Sequence, residues 1–331
     1  MEHGNNIDMM TLSWFVPEIR ESLQHVAHAL DELRVSPHGQ DAIKRARLHL
    51  HQTHGALQVA GISGVALLTE EAEHVISAFE DGVLEADESS IDVLKMVMRA
   101  ITEYLEDMQA SGTSIPVLVL YPYYRDLVGL RKAVQPDPAA LFDVDLDRAL
   151  PASVRAMISD APDREERAKS AARGFERALP ALIRGENVVA AIDGLHESMG
   201  RMLRNQPHVG ARLFYWLSYA LLDGLKHGAL KVDLATRRAV GRINIQNRHL
   251  FTGQSDVPPQ FIKELLIILA QAGSGSAVVE EVKRHFHLAS LVPADYERRR
   301  YGLADPETIR VAREALVLVH RAWEKLAGGT Q

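Results

Sequence analysis

The chain has 331 residues, 47% of them hydrophobic and 24% charged, with a formal net charge of −7. That is the balance of a globular protein long enough for two or three cores. It contains no cysteine, which excludes disulfides and thiolate metal sites and fits a reducing compartment. The negative balance removes the global basic field that carries most nucleic-acid binding. The opening MEHGNNIDMM lacks a basic region followed by an apolar core, and no window approaches the ~18 apolar residues of a membrane span. The reading is a cytoplasmic protein with neither nucleic acid nor membrane as a partner.

After a tail over residues 1–10, Leu12, Phe15, Val16, Ile19, Leu23, Val26, Leu30 and Leu33 follow the three-and-four spacing of one helix face. This first helix places Pro17 near its first turn, where a missing N–H is tolerated. Pro37 and Gly39 punctuate, and a second helix is predicted over about 41–60, with Ile43, Ala46, Leu50, Thr53, Leu57 and Ala60 on one stripe and Gly61 and Gly64 ending it. A third stripe, Val65, Leu68, Ala72, Val75, Ile76 and Phe79, stops at Asp81-Gly82, where glycine suits the left-handed position beyond a helix. A fourth begins at a Ser89/Ser90 cap and carries Leu94, Val97, Met98, Ile101, Leu105 and Met108. Short connections between consecutive helices predict an all-α, up-down four-helix bundle over residues 11–112.

Residues 113–162 break this pattern. IPVLVLYPYYRDLVGL reads either as a short strand or as a strap laid on the bundle, and VQPDPAALFDVDLDRALP as a proline- and aspartate-rich linker. From Asp163 the helical period returns, with breaks at Gly185, Pro207, Gly228, Gly253 to Pro259, Gly273 to Ser276 and Pro293 to Pro306. A second all-helical domain, a bundle or stacked hairpins, is predicted over 163–331, with Phe214, Tyr215, Trp216 and Tyr219 in its core.

The stretch HLHQTHGALQVAG at 49–61 carries the chemistry. At ~100° of rotation per residue, Lys44, Arg47, His51, His54 and Gln58 fall on one line of the second helix, opposite Leu50 and Leu57. His51 is therefore expected to face water. An interior helix glycine costs ~1 kcal/mol against alanine, so Gly55 suggests that a side chain there would obstruct something.

His51-Gln52-Thr53-His54-Gly55-Ala56, followed by Gly61-Ile62, resembles the histidine phosphotransfer (Hpt) signature, a histidine with lysine three residues later and glycine four later, on the second helix of an up-down bundle. The stretch LHQTHGALQVAG with ALLTEEAE is most similar to the N-terminal Hpt-like modules of type IV pilus chemosensory kinases of the PilL or ChpA type, which are related to CheA. The resemblance implies that His51 Nε2 accepts a phosphoryl group, that Glu73 on the third helix orients the imidazole by accepting from Nδ1, and that Gly55 lets a receiver domain dock closely. His54 stands where the family has lysine. Imidazole is mostly neutral at neutral pH, which weakens the charge expected to steady the phosphoryl group; Arg47 and Lys44 are positioned to replace part of it.

Other constellations are weaker. His25, His28 and His49 with His51 and His54 invite a metal, but His49 points away from His51 and no carboxylate has ligand spacing on that helix, so no metal and no cofactor are expected. His196 followed by Gly200 repeats the offset without a lysine or a basic line. AGSGSAVVEEV follows a helical segment and reads as a serine-capped turn, not a phosphate cradle. YERRRYG at 296–302 reads as a solvated loop. No segment resembles an ATP-binding kinase domain. The expected function is thus a phosphorelay intermediate in chemotaxis-like signalling that controls type IV pili and twitching motility. The expected partners are a response-regulator receiver domain, a histidine kinase catalytic core and other pilus signalling proteins. The alternative is an inactive Hpt-like scaffold that docks them.

Overall fold

A computed structural model describes residues 9–35, 39–132, 135–159, 161–206, 209–252, 256–296 and 298, with side chains from residue 13 onward apart from Val209. Residues 1–8 of the expected tail, most of the 296–302 basic run and the expected helices beyond Pro306 lie outside the described residues. Among the described residues every regular element is helical, and contacts divide the chain into two compact units, residues 1–141 with 293–331 and residues 142–292.

The first unit is built on α1 (Met9–Val35), α2 (Gln40–Val59), α3 (Ser63–Glu80) and α4 (Glu88–Ser111). The predicted stripes are its core: Ile19, Leu23, Leu30, Leu50, Leu57, Leu68, Val75, Leu94 and Ile101 are almost wholly buried, and each such side chain removed from water contributes roughly 1.5–3 kcal/mol. Three local expectations change. α1 starts earlier than Pro17 suggested and continues through it, because the surrounding apolar stripe outweighs one missing N–H. The fourth helix is capped by Asp87, whose carboxylate accepts from Ser90 N at 2.7 Å, not by a serine. Gly64 does not end α2 but lies inside α3.

The segment after residue 112 accounts for Gly64. A 3-10 turn at Val117–Leu120 leads into α5 (Tyr121–Leu130), and after it comes the short α6 (Pro138–Leu141). The strand alternative is not realised. Leu120, Tyr124, Leu127 and Val128 are buried at helical spacing, Pro122 occupies the first turn where its ring is compatible with a helix, and the Tyr104 hydroxyl donates to Ile115 O at 2.6 Å. α5 packs on both α3 and α4, which touch one another little. A Cβ on Gly64 would stand 2.8 Å from Val117 Cγ1 and 3.2 Å from the Leu141 carbonyl oxygen. That glycine exists so that this strap can close on α3.

The second unit contains α7 (Ala152–Ala156), α8 (Arg164–Arg184), α9 (Val188–Asn205), α10 (Arg212–Lys226), α11 (Leu234–Phe251), α12 (Pro259–Ala270), α13 (Ala277–His285) and α14 (Leu288–Leu291). The expected linker is packed structure: Phe142 and Val154 are buried, and Arg148 donates to His285 O at 2.7 Å. Its prolines and aspartates supply turns between short buried elements, so composition alone resembled a linker. α8 and α9 form a tight hairpin, and α10, apolar on nearly every side, packs against α9, α12 and α13. Phe214, Tyr215 and Trp216 are wholly buried there, while Tyr219 is partly exposed.

Candidate functional site around His51

α2 buries Ala42, Ile43, Ala46, Leu50, Thr53 and Leu57, which turns the opposite line outward. His51 is 73% exposed, and its Nδ1 lies 3.5 Å from Glu73 Oε2 on α3, itself 25% exposed. A carboxylate beside Nδ1 favours the proton on that nitrogen, leaving Nε2 as the free nucleophilic atom. A Cβ built on Gly55, one turn beyond His51, would meet nothing within 4 Å. No packing within the unit requires that glycine.

Of the remaining residues of the line, His54 and Arg47 are committed to partners on or beside α3. His54 turns toward α3, its Nδ1 donating to Ala66 O at 3.0 Å with the Thr69 hydroxyl oxygen 3.4 Å away. Thr69 in turn donates to the same carbonyl at 2.7 Å. Because a carbonyl only accepts, the His54 proton sits on Nδ1, and in the neutral ring Nε2 is an acceptor, opposite in character to a lysine ammonium. Arg47 is paired with Glu80 of α3. Lys44 is exposed and makes no ion pair among the described residues.

His49 lies on another face and stacks on His25, with ring centroids 4.8 Å apart. Burial and then the neighbouring His25 hold His49 below the ordinary imidazole value.

The second histidine-glycine pair has a different environment. His196 is 15% exposed, its Nε2 lies 3.0 Å from Asp223 Oδ1, and its ring stacks on Tyr219 at 4.7 Å. A Cβ on Gly200 would come within 3.1 Å of Tyr219 Cε2. Here glycine admits an internal aromatic ring, and the nitrogen equivalent to a phosphoacceptor is occupied.

Asp223 is a hub that the sequence reading did not single out. Its Oδ2 accepts from Ser276 Oγ at 2.6 Å and lies 3.3 Å from His227 Nδ1, while Ser276 caps α13 by accepting from Val279 N at 3.0 Å. The carboxylate stands between hydroxyl and imidazole, so His196 has no contact with Ser276 through which to activate it. The available signal was one carboxylate within the apolar run FYWLSYALLDGL. Burial pushes the Asp223 carboxyl up, but hydrogen bonds from His196 and Ser276 and the nearby His227 hold it below the usual carboxylate value.

Residues 10–111 match the family model of the Hpt domain. Residues 160–299 match that of the FimL scaffold protein second domain. By these matches the chain is similar to an Hpt domain in its first part and to the second domain of a scaffold protein in its second. It is 22% identical over 290 residues to Scaffold protein FimL of Pseudomonas aeruginosa, an alignment covering 86% of this chain and 51% of that protein. The chain thus spans about half the length of this curated relative. No solved structure matches it. No helix among the described residues is long and apolar enough to cross a membrane.

Proposed function

We propose that the Hpt domain is a phosphoryl-accepting docking module in a cytoplasmic, chemotaxis-like system controlling type IV pili and twitching motility, with His51 as the acceptor. The observation that supports this most is the exposed imidazole whose Nδ1 faces Glu73 while Nε2 is left for reaction. In the transfer, the Nε2 lone pair attacks phosphorus of an aspartyl phosphate on a receiver domain. The Nε2–P bond forms, the P–O bond to the aspartyl carboxyl breaks, and the receiver recovers its carboxylate. The Nδ1 proton stays opposite Glu73, which stabilises the cationic ring. Open space over Gly55 gives the partner a close approach.

The test is incubation of the full chain with a phosphorylated receiver domain or an active kinase core, followed by detection of acid-labile label. Label absent in His51→Gln supports the acceptor role; label that persists in His51→Gln overturns it. A second reading, a docking scaffold without transfer, draws on His54 being tied to Ala66 O and Arg47 to Glu80, and on the scaffold described for the FimL relative. Receiver binding with no label in the wild-type chain would select that reading.

A further inference from the structure

The face that would receive a phosphoryl group on His51 is short of positive charge. α3 brings Glu73 to 3.5 Å from His51 Nδ1 and exposes Glu70 three residues earlier. His54, at the position where a lysine was expected, is turned toward α3 with Nδ1 donating to Ala66 O. A phosphoryl group brings about two negative charges and three acceptor oxygens, so its arrival on Nε2 calls for a cation within reach. Lys44 lies seven residues before His51, about 10 Å along the helix axis. Arg47 lies four residues before it and is therefore its direct neighbour on the helix surface. Helical side chains lean toward the N-terminus of their helix, which carries the His51 ring over the turn that holds Arg47.

Arg47 is engaged elsewhere. Its guanidinium pairs with Glu80, seven residues beyond Glu73 on α3. The contacts of Arg47 with Glu80, His51 with Glu73 and His54 with Ala66 run in opposite directions along α2 and α3, so this pair draws Arg47 away from His51. The pair faces solvent, with Arg47 44% and Glu80 21% exposed. Exposed ion pairs are weak, whereas a guanidinium fork matches phosphoryl oxygens in two parallel, charge-assisted bonds.

We infer that Arg47 is the phosphoryl-binding cation of this site and that Glu80 is its competitor. On transfer the guanidinium exchanges the Glu80 carboxylate for the phosphoryl oxygens on His51, and Glu80 is left to water. No covalent bond changes beyond those of the transfer itself. The exchange takes a rotamer change of one long side chain, because Arg47 and His51 project from the same helix. Glu80 is thus a positioning residue that sets how readily Arg47 is released. The inference rests on His51 being the acceptor.

The test is the rate of phosphoryl transfer from a phosphorylated receiver domain to the full chain, with circular dichroism confirming that each variant is folded. Arg47→Gln is expected to lower the rate about tenfold, and Arg47→Lys to recover part of the loss, since a point charge replaces the fork. Glu80→Gln is expected to raise the rate about threefold by removing a weak competitor, and to have no effect in the Arg47→Gln background. Equal acceleration by Glu80→Gln with and without Arg47 would make Glu80 a nearby negative charge only, and overturns the inference. So does a wild-type rate in Arg47→Gln, or a loss that appears in Lys44→Gln instead. Absence of label in the wild-type chain overturns the acceptor reading and this inference with it; label on His51 that is indifferent to Arg47 overturns this inference alone.

Discussion

Three helical glycines separate what a side chain would meet inside the molecule from what it would meet outside. A Cβ at Gly55 meets nothing within 4 Å, so Gly55→Ala is expected to raise stability by about 0.5–1 kcal/mol, read as a higher urea midpoint, while weakening receiver docking. At Gly64 the same methyl meets Val117 at 2.8 Å and backbone at 3.2 Å; Gly64→Ala should cost about 1–3 kcal/mol in the same assay. Gly200 is close to Tyr219, so its offset from His196 has an internal cause. His54→Lys gives up the Nδ1 bond to Ala66 O, about 1 kcal/mol, but restores a cation beside His51. It is expected to raise the transfer rate several-fold in rapid-quench kinetics, roughly what ~1 kcal/mol of charge stabilisation gives. An unchanged rate would mean that charge is not limiting. Of the candidate site, the outward facing of His51 was legible because helical spacing dictates facing, and Glu73 and the role of Gly55 came from the resemblance to the Hpt signature. The commitments of His54 to Ala66 O and Arg47 to Glu80 were not, because they depend on how α3 lies against α2.

At the scale of elements, α5 stabilises the bundle by covering the α3–α4 seam. Leu127 is wholly buried there, so Leu127→Ala should destabilise the first unit by about 2–4 kcal/mol, measured by chemical denaturation. A smaller loss, below ~1 kcal/mol, would mean that the strap contributes little to the core. The apolar stripes of α1 to α4 were readable because each long helix must bury one face. IPVLVLYPYYRDLVGL was ambiguous because short apolar runs lack enough residues to separate a period of two from one of 3.6. The bundle seam then selected the helix. α8 and α11 present the complementary case: their basic composition was visible residue by residue, but an open groove between them arises only once the two helices face each other.

Across the whole molecule, the two units should respond to different substitutions. Calorimetry of the full chain is expected to show Gly64→Ala lowering one transition and Asp223→Asn the other; both variants shifting a single common transition would count against separate units. Asp223 titrates below its unfolded value, so near the ordinary carboxylate range the unfolded chain holds more protons than the folded one. Its stabilisation is present above that range and disappears as pH falls through the folded value. The second transition should therefore drop steeply below about pH 4 in the wild type and less steeply in Asp223→Asn. By itself the sequence determined the helical class, the core faces of the first bundle and the outward line that carries His51, because these follow from periodicity along one helix. Only tertiary structure decided that Val117 and Leu141 close on Gly64, that His196 is held by Asp223 and that α8 and α11 face one another across a groove. Those features depend on distances between segments far apart in the chain, which no local spacing encodes.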